Sequence, residues 1–226
     1  MNIDISKLLQ TKRHPKLLAD NEDILQAKRW IRQYPWYARL YEKKKAEVDK
    51  FLPRPIYISP LKQAYEYPNY DCLKHNVQLK YEDDSPFEHR CPVGDEVFTG
   101  EKYDAAWAGW YHGLLSRRLV SMGTVYQISG DERYAEAVRD VLVRFAETYS
   151  NYPNENNILG PARIFFGTLG ESIFGAHVAL GYDLVYESPC FSPSDHEKIR
   201  EMFLLPLADL ATQFDETVSN RQTWYN

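Results

Sequence analysis

Two short Cys/His pairs carry the most definite chemistry in this chain: Cys72-Leu73-Lys74-His75 and His89-Arg90-Cys91. Sulfur and imidazole donors in two clusters separated by a loop suit a tetrahedral zinc ion. Cys72, His75, His89 and Cys91 would then pin a stretch that has no helical periodicity of its own. The alternative is four unliganded loop residues, because the second pair is spaced by a single residue and Gly94 stands where a Cys-x-x-Cys knuckle would place its next cysteine. Zinc here would be structural, since four protein ligands leave no open coordination position for catalysis.

A second group gathers rings and positive charge: Tyr103, Trp107, Trp110, Tyr111, His112 and Arg117. Rings cover the apolar faces of sugars, and guanidinium or imidazole meets carboxylates, so such a set lines a cleft for an acidic saccharide. Trp107 and Tyr111, four apart, read as core; Tyr103, Trp110, His112 and Arg117 are the cleft candidates, a solvated helix face being the plainer account. Arg163, beside Gly160-Pro161, would contact an acidic ligand or else lie on the surface. His177 and Asp183 fall in an apolar stretch. The histidine reads as buried and satisfied, and Asp183 would be a general acid only if a second carboxylate faced it, which spacing does not supply. Phosphate-binding Gly-rich loops, Gly-x-Ser-x-Gly and His-Glu-x-x-His are missing from the sequence, which leaves nucleotide transfer, serine hydrolysis and metalloproteolysis without support.

The elements that position these groups are helical. Periodicity predicts a helix from residue 20 or 21 to 34, with Ile24, Ala27, Trp30 and Ile31 on one side, and a second from 36 to 51 carrying Tyr37, Leu40, Tyr41, Val48 and Phe51. Residues 52–101 hold six prolines and no sustained period, so they read as a long irregular insertion. A helix over 104–128 follows, broken at Ser129-Gly130-Asp131, and then one to about 149 with Tyr134, Val138, Val141, Leu142 and Phe145 on its stripe. Residues 168–187 are apolar almost all round, which predicts burial between other helices. Ser192-Pro193-Ser194-Asp195 opens a last helix that Pro206 should bend. The fold class expected is all-α: an incomplete (α/α) toroid of paired antiparallel helices in a single helical domain, 1–226.

Composition bounds the partners. The 226 residues carry 32 acidic against 27 basic side chains, a net charge of -5, which argues against nucleic acid as the main partner. Three cysteines cannot form a disulfide framework in a chain this long and suit a reducing compartment or a metal. The opening residues lack the apolar core of a signal peptide and no later stretch approaches a membrane span, so the chain as given is expected to be cytoplasmic, with no membrane partner. A trimmed start would leave periplasmic or secreted placement open, and association with further copies of the chain is equally open. Aromatic residues reach 14%, which fits a cleft for an amphipathic ligand.

Four strings in order carry a resemblance: His14-Pro15-Lys16-Leu17-Leu18, Gly100-Glu101-Lys102-Tyr103-Asp104-Ala105-Ala106-Trp107, Ser129-Gly130-Asp131-Glu132-Arg133-Tyr134, and Asn220-Arg221-Gln222-Thr223-Trp224-Tyr225-Asn226. Together they resemble the N-terminal α/α-toroid part of the heparinase II/III-like polysaccharide lyases, a group that includes oligoalginate lyases. The resemblance implies β-elimination at a uronic acid. Hydrogen-bond donors neutralise the carboxylate, a Tyr or His removes the C5 proton, and an acid protonates the leaving O4. It makes Asn220, Gln222 and Asn226 the candidates for neutralisation, with Tyr225 beside them where some relatives have histidine, and sets Trp224 among the substrate-binding residues. The usual catalytic tyrosine of that family lies beyond Asn226, so the chain is expected to be an N-terminal portion, inactive alone. The partner implied is an acidic polysaccharide or oligosaccharide, and the reaction requires no cofactor. An acidic-saccharide-binding or partial-toroid fragment without catalysis, and an α/α-toroid glycoside hydrolase, are the alternatives.

Overall fold

The computed structural model describes residues 13–63, 70–158 and 160–213, and over these the protein is all-α apart from two very short hairpins. The helices are α1 (Asn21–Gln33), α2 (Pro35–Asp49), α3 (Glu101–Ser129), α4 (Glu132–Thr148), α5 (Thr168–Val185), α6 (Pro193–Ile199) and α7 (Leu205–Thr212). Between α2 and α3 lie β1 (Asp71–Cys72) paired antiparallel with β2 (Val77–Gln78), and β3 (His89–Arg90) paired antiparallel with β4 (Val97–Phe98). No helix among the described residues is long and apolar enough to cross a membrane.

Local chemistry sets the helix ends. Asp20 caps α1 through a reciprocal box: its Oδ1 accepts the Glu22 and Asp23 amides at 2.9 and 3.2 Å, and Asp23 accepts the Asp20 amide at 3.1 Å. Pro35 does not merely end α1; it is the first residue of α2, where its missing N–H would have no intrahelical partner. Gly130, at φ +72°, ends α3 and donates to the Tyr126 carbonyl at 2.7 Å, and Asp131 then accepts the Arg133 amide at 3.2 Å to open α4. Ser192 and Asp195 form the expected box at the start of α6. Pro206 cannot donate to the carbonyl four residues back, and the turn immediately before it, Arg200–Leu204, opens into π geometry.

The described residues divide into two compact units: those within 13–56, 116–144 and 176–199 form one, and those within 57–115, 145–175 and 200–213 the other. In the first, Leu119, Met122, Val125, Val138, Leu142, Val178 and Leu184 make the core. The backbones of α3 and α5 approach closely, because a Cβ on Gly181 would lie 2.7 Å from the Leu119 Cβ and one on Gly123 2.7 Å from the Leu184 Cβ. Tyr134 donates to Asp49 at 2.5 Å, tying the end of α2 to α4. In the second unit, Phe145, Tyr149, Phe165, Phe174 and Phe203 form one aromatic cluster with ring centroids 5.1 to 5.5 Å apart along its chain of contacts.

Two expectations of burial need correcting. Trp30 and Leu40 belong to the anticipated apolar stripes of α1 and α2, yet both are exposed, and α1 has no fully buried residue. Helix α5 is not buried all round: Leu169 and Ile173 stay 48% and 46% exposed. Its inward side, with Phe174, Val178 and Tyr182, satisfies the packing that the first unit and the second each provide to their own half of the helix. An apolar composition therefore overstated how much of the helix circumference is covered among the described residues.

Candidate functional site

The insertion between α2 and α3 brings Cys72, His75, Cys91 and Glu96 together, with donor atoms all within 4.8 Å of one another. Hairpin register explains the convergence. His89 pairs with Phe98 and Arg90 with Val97, so the next pair inward is Cys91 and Glu96, joined by the Cys91 amide donating to the Glu96 carbonyl at 3.0 Å. Cys72 closes β1, and His75 lies in the turn that returns the chain to β2. His75 Nδ1 is 3.5 Å from Cys72 Sγ and 3.3 Å from Cys91 Sγ. Burial pushes the Cys91 thiol up, but the Val93 and Gly94 amides, together with Cys72 and His75, outweigh it and bring the group down to about 7.

His89 does not join this set. Its ring is buried, with Nδ1 3.0 Å from the Tyr70 hydroxyl and Nε2 2.9 Å from an Asp104 carboxylate oxygen, so both nitrogens are already engaged. The sequence expectation of His89 as a ligand is therefore corrected, and Glu96 stands in the fourth place. Trp107 Nε1 donates to the Glu82 carbonyl at 2.8 Å and ties this insertion to α3.

The saccharide candidates separate by burial. Trp110 is 36% exposed and Tyr103 half-buried; seven residues apart on α3, they present two rings on one helix face of the second unit. Arg117 is exposed and falls in the other unit. Arg163 is half-buried, and its guanidinium donates to the Tyr152 and Ser150 carbonyls at 2.7 and 3.2 Å, so the residue braces a loop of its own unit. His112 is corrected outright: it is fully buried, its Nε2 accepts the Ser59 amide at 3.2 Å, and it packs edge-on against Phe145.

Desolvation pushes the His112 imidazole down to about 3, so it stays neutral and cannot meet a carboxylate as a cation. The unfolded chain binds a proton near pH 6.5 that the folded protein refuses until about pH 3, so stability should fall as pH drops through that window. A His112→Gln variant, compared with the parent by chemical denaturation from pH 7 to pH 4, is expected to show a flatter loss. An unchanged slope would contradict the assignment.

Two buried acids missed or misread from sequence do clear structural work. Asp183 is not a general acid with a facing carboxylate: its oxygens accept from His14 Nδ1 at 2.5 Å and from the Lys16 and Leu17 amides at 2.8 and 2.9 Å. That pairing is why the His14-Pro15-Lys16-Leu17 lead-in is ordered. Glu171, in the first turn of α5, accepts the Tyr149 hydroxyl at 2.8 Å and the Ile164 and Phe165 amides at 3.1 and 3.0 Å. Lys62 Nζ lies within 3.0 Å of the Pro153, Glu155 and Ala162 carbonyls and of Asn157 Oδ1, and burial lowers its pKa. Together Lys62, Arg163 and Glu171 fix residues 150–157 and 162–165 of the second unit. His177 is half-buried on α5. Asn220, Gln222, Trp224, Tyr225 and Asn226 lie outside the described residues.

No family model matches the chain. Over 120 residues it is 26% identical to a protein of Stenotrophomonas maltophilia (strain K279a) named alginate lyase, a match taking in 50% of this chain and 16% of that protein. Over 129 residues it is 27% identical to an exo-oligoalginate lyase of Saccharophagus degradans, covering 53% and 17% respectively. The matched stretch thus spans about a sixth of the length of these curated relatives.

Proposed function

We propose that these residues form the N-terminal helical part of a polysaccharide lyase that cleaves uronate-containing acidic saccharides by β-elimination. The observation that carries the reading is the similarity, over half the chain, to two proteins named for lysis of alginate or its oligomers. It is supported by the ordered strings from His14 to Asn226, by the all-α fold, which suits a partial (α/α) toroid, and by a net charge low enough to discount nucleic acid.

The chemistry fixes what the site must supply. A C5 proton beside an ionised carboxylate is too weakly acidic to leave, so donors must hold the carboxylate's charge while a base takes the proton and O4 departs protonated. Asn220, Gln222 and Asn226 carry amide donors for the first task, with Tyr225 adjacent. Trp110 and Tyr103 of the second unit would stack on sugar faces, as would Trp224; Arg117, in the other unit, would meet a uronate as a contact of its own. Arg163 and His112 contribute by holding the scaffold. No step requires a metal or organic cofactor.

The complete product of the reading frame, incubated with mixed polyuronates, tests the reaction class. Elimination yields a conjugated 4,5-unsaturated end that absorbs in the ultraviolet, one for each new reducing end. Reducing ends without that absorbance would identify a hydrolase and overturn the proposal; retention on a polyuronate column without either product would leave only binding.

A further inference from the structure

We infer that Cys72, His75, Cys91 and Glu96 form a closed structural site for a single zinc ion, with Glu96 taking the place that sequence spacing gives to His89. The whole donor set lies within 4.8 Å, and the distances from His75 already match a bound ion. In a tetrahedron with bonds of about 2.3 Å to sulfur and about 2.0–2.1 Å to nitrogen or oxygen, neighbouring donors lie about 3.3–3.8 Å apart. His75 Nδ1 lies 3.5 Å from Cys72 Sγ, 3.3 Å from Cys91 Sγ and 3.4 Å from Glu96 Oε2.

Three further observations agree. Glu96 Oε2 is buried with no hydrogen-bond partner, although the other oxygen of the same carboxylate is paired with Lys74. A buried carboxylate oxygen left unsatisfied costs free energy that a cation would recover. The Val93 and Gly94 amides point at Cys91 Sγ at 3.5 and 3.4 Å, and such donors stabilise a liganding thiolate. Finally, a Cβ on Gly94 would lie 2.2 Å from Glu96 Oε2 and 2.5 Å from His75 Cε1, so the backbone closes directly over the donor set.

The site answers a physical need of the insertion. Residues 71–98 contain four two-residue strands and few buried apolar side chains, namely Cys72, Leu79 and Cys91. The hairpins are already joined by the Lys80 amide donating to the Arg90 carbonyl at 2.8 Å and by the Lys74–Glu96 pair, and one ion shared by Cys72 and His75 of the first with Cys91 and Glu96 of the second would add a constraint that so small a core does not supply. A Cys72–Cys91 disulfide is the competing chemistry. It would leave both the position of His75 between the sulfurs and the orphaned Glu96 oxygen without cause, and both cysteines are free.

The test uses Zn(II) and Co(II) as probes on the 226-residue chain, purified with reductant and stripped of metal. One Zn(II) per chain is expected by elemental analysis. Co(II) should give the intense visible absorption of a tetrahedral site with thiolate-to-metal charge transfer. Cys91→Ser and His75→Ala should lose the stoichiometric ion, Glu96→Gln should weaken Zn(II) binding about tenfold or more, and His89→Gln should keep one ion. Failure of the parent protein to bind Zn(II), a mass two hydrogens lower with no reactive Cys72 or Cys91 thiol, or loss of the ion in folded His89→Gln with retention in Glu96→Gln would each overturn the assignment.

Discussion

Glu171→Ala is expected to be among the most damaging single substitutions, costing about 3–5 kcal/mol of stability, because each buried polar group left unsatisfied costs about 1–3 kcal/mol. The side chain is fully buried, and its loss strands the Tyr149 hydroxyl and the Ile164 and Phe165 amides in the second unit. Glu171→Gln should be far milder. Its amide oxygen can accept both backbone amides, and its NH2 can donate to the Tyr149 oxygen once that hydroxyl turns from donor to acceptor. Burial raises the Glu171 carboxyl above its ordinary 4.5 despite those donors. The folded state therefore keeps a proton that the unfolded chain has released, and stability falls as pH rises above about 4.5 until the folded group also ionises. Denaturation of parent and Glu171→Gln across that window should show the slope shrinking in the variant. Equal slopes, or an alanine variant as stable as the parent, would contradict this account.

The second large effect is expected at Asp183→Ala. The Asp183 side chain is 1% exposed and receives three hydrogen bonds from the lead-in. Its truncation should cost about 3 kcal/mol or more, because hydrogen bonds to a charged acceptor are each worth about 1.5–3 kcal/mol. Stability alone would not separate this from any core lesion, so the diagnostic is local. The Lys16–Leu17 bond should become sensitive to trypsin under conditions where the folded remainder survives. A variant that loses stability while Lys16 stays protected would show that Asp183 does not hold the lead-in.

These two acids also show what the sequence could and could not disclose. Helix boundaries were legible because they depend on neighbours a few residues apart: the Asp20 and Ser192 boxes, Gly130 at positive φ, and the five-residue stripe of α4 from Tyr134 to Phe145, all of it buried. Partners far apart in sequence were not. Asp183 meets His14 across 169 positions, and no periodicity reports such a pair. From sequence His112 reads as a cleft residue because it lies off the Trp107–Tyr111 stripe; a helix packed on two sides buries a wider arc than one stripe describes. At the Cys/His cluster, ligand type and spacing alone point to three of the converging donors and to His89 as the fourth. Hairpin register decides that question, and tracing the ladder from His89 and Phe98 inward would have reached Glu96 opposite Cys91. The apolar outer side of α5 marks the other limit: composition records the content of a helix, not what covers it.

The proposed function requires the amides of Asn220, Gln222 and Asn226 to neutralise a bound uronate so that its C5 proton can be removed. The most direct measurement compares turnover of a polyuronate with that of its methyl ester, by the complete product of the reading frame and by an Asn220→Ala variant of it. The account predicts that the variant loses about 100- to 1,000-fold in kcat on the free acid, the usual cost of removing one such donor. On the ester, whose carboxyl group carries no charge to neutralise, it should recover most of that loss. Equal losses on both substrates, or full activity of the variant on the free acid, would contradict it.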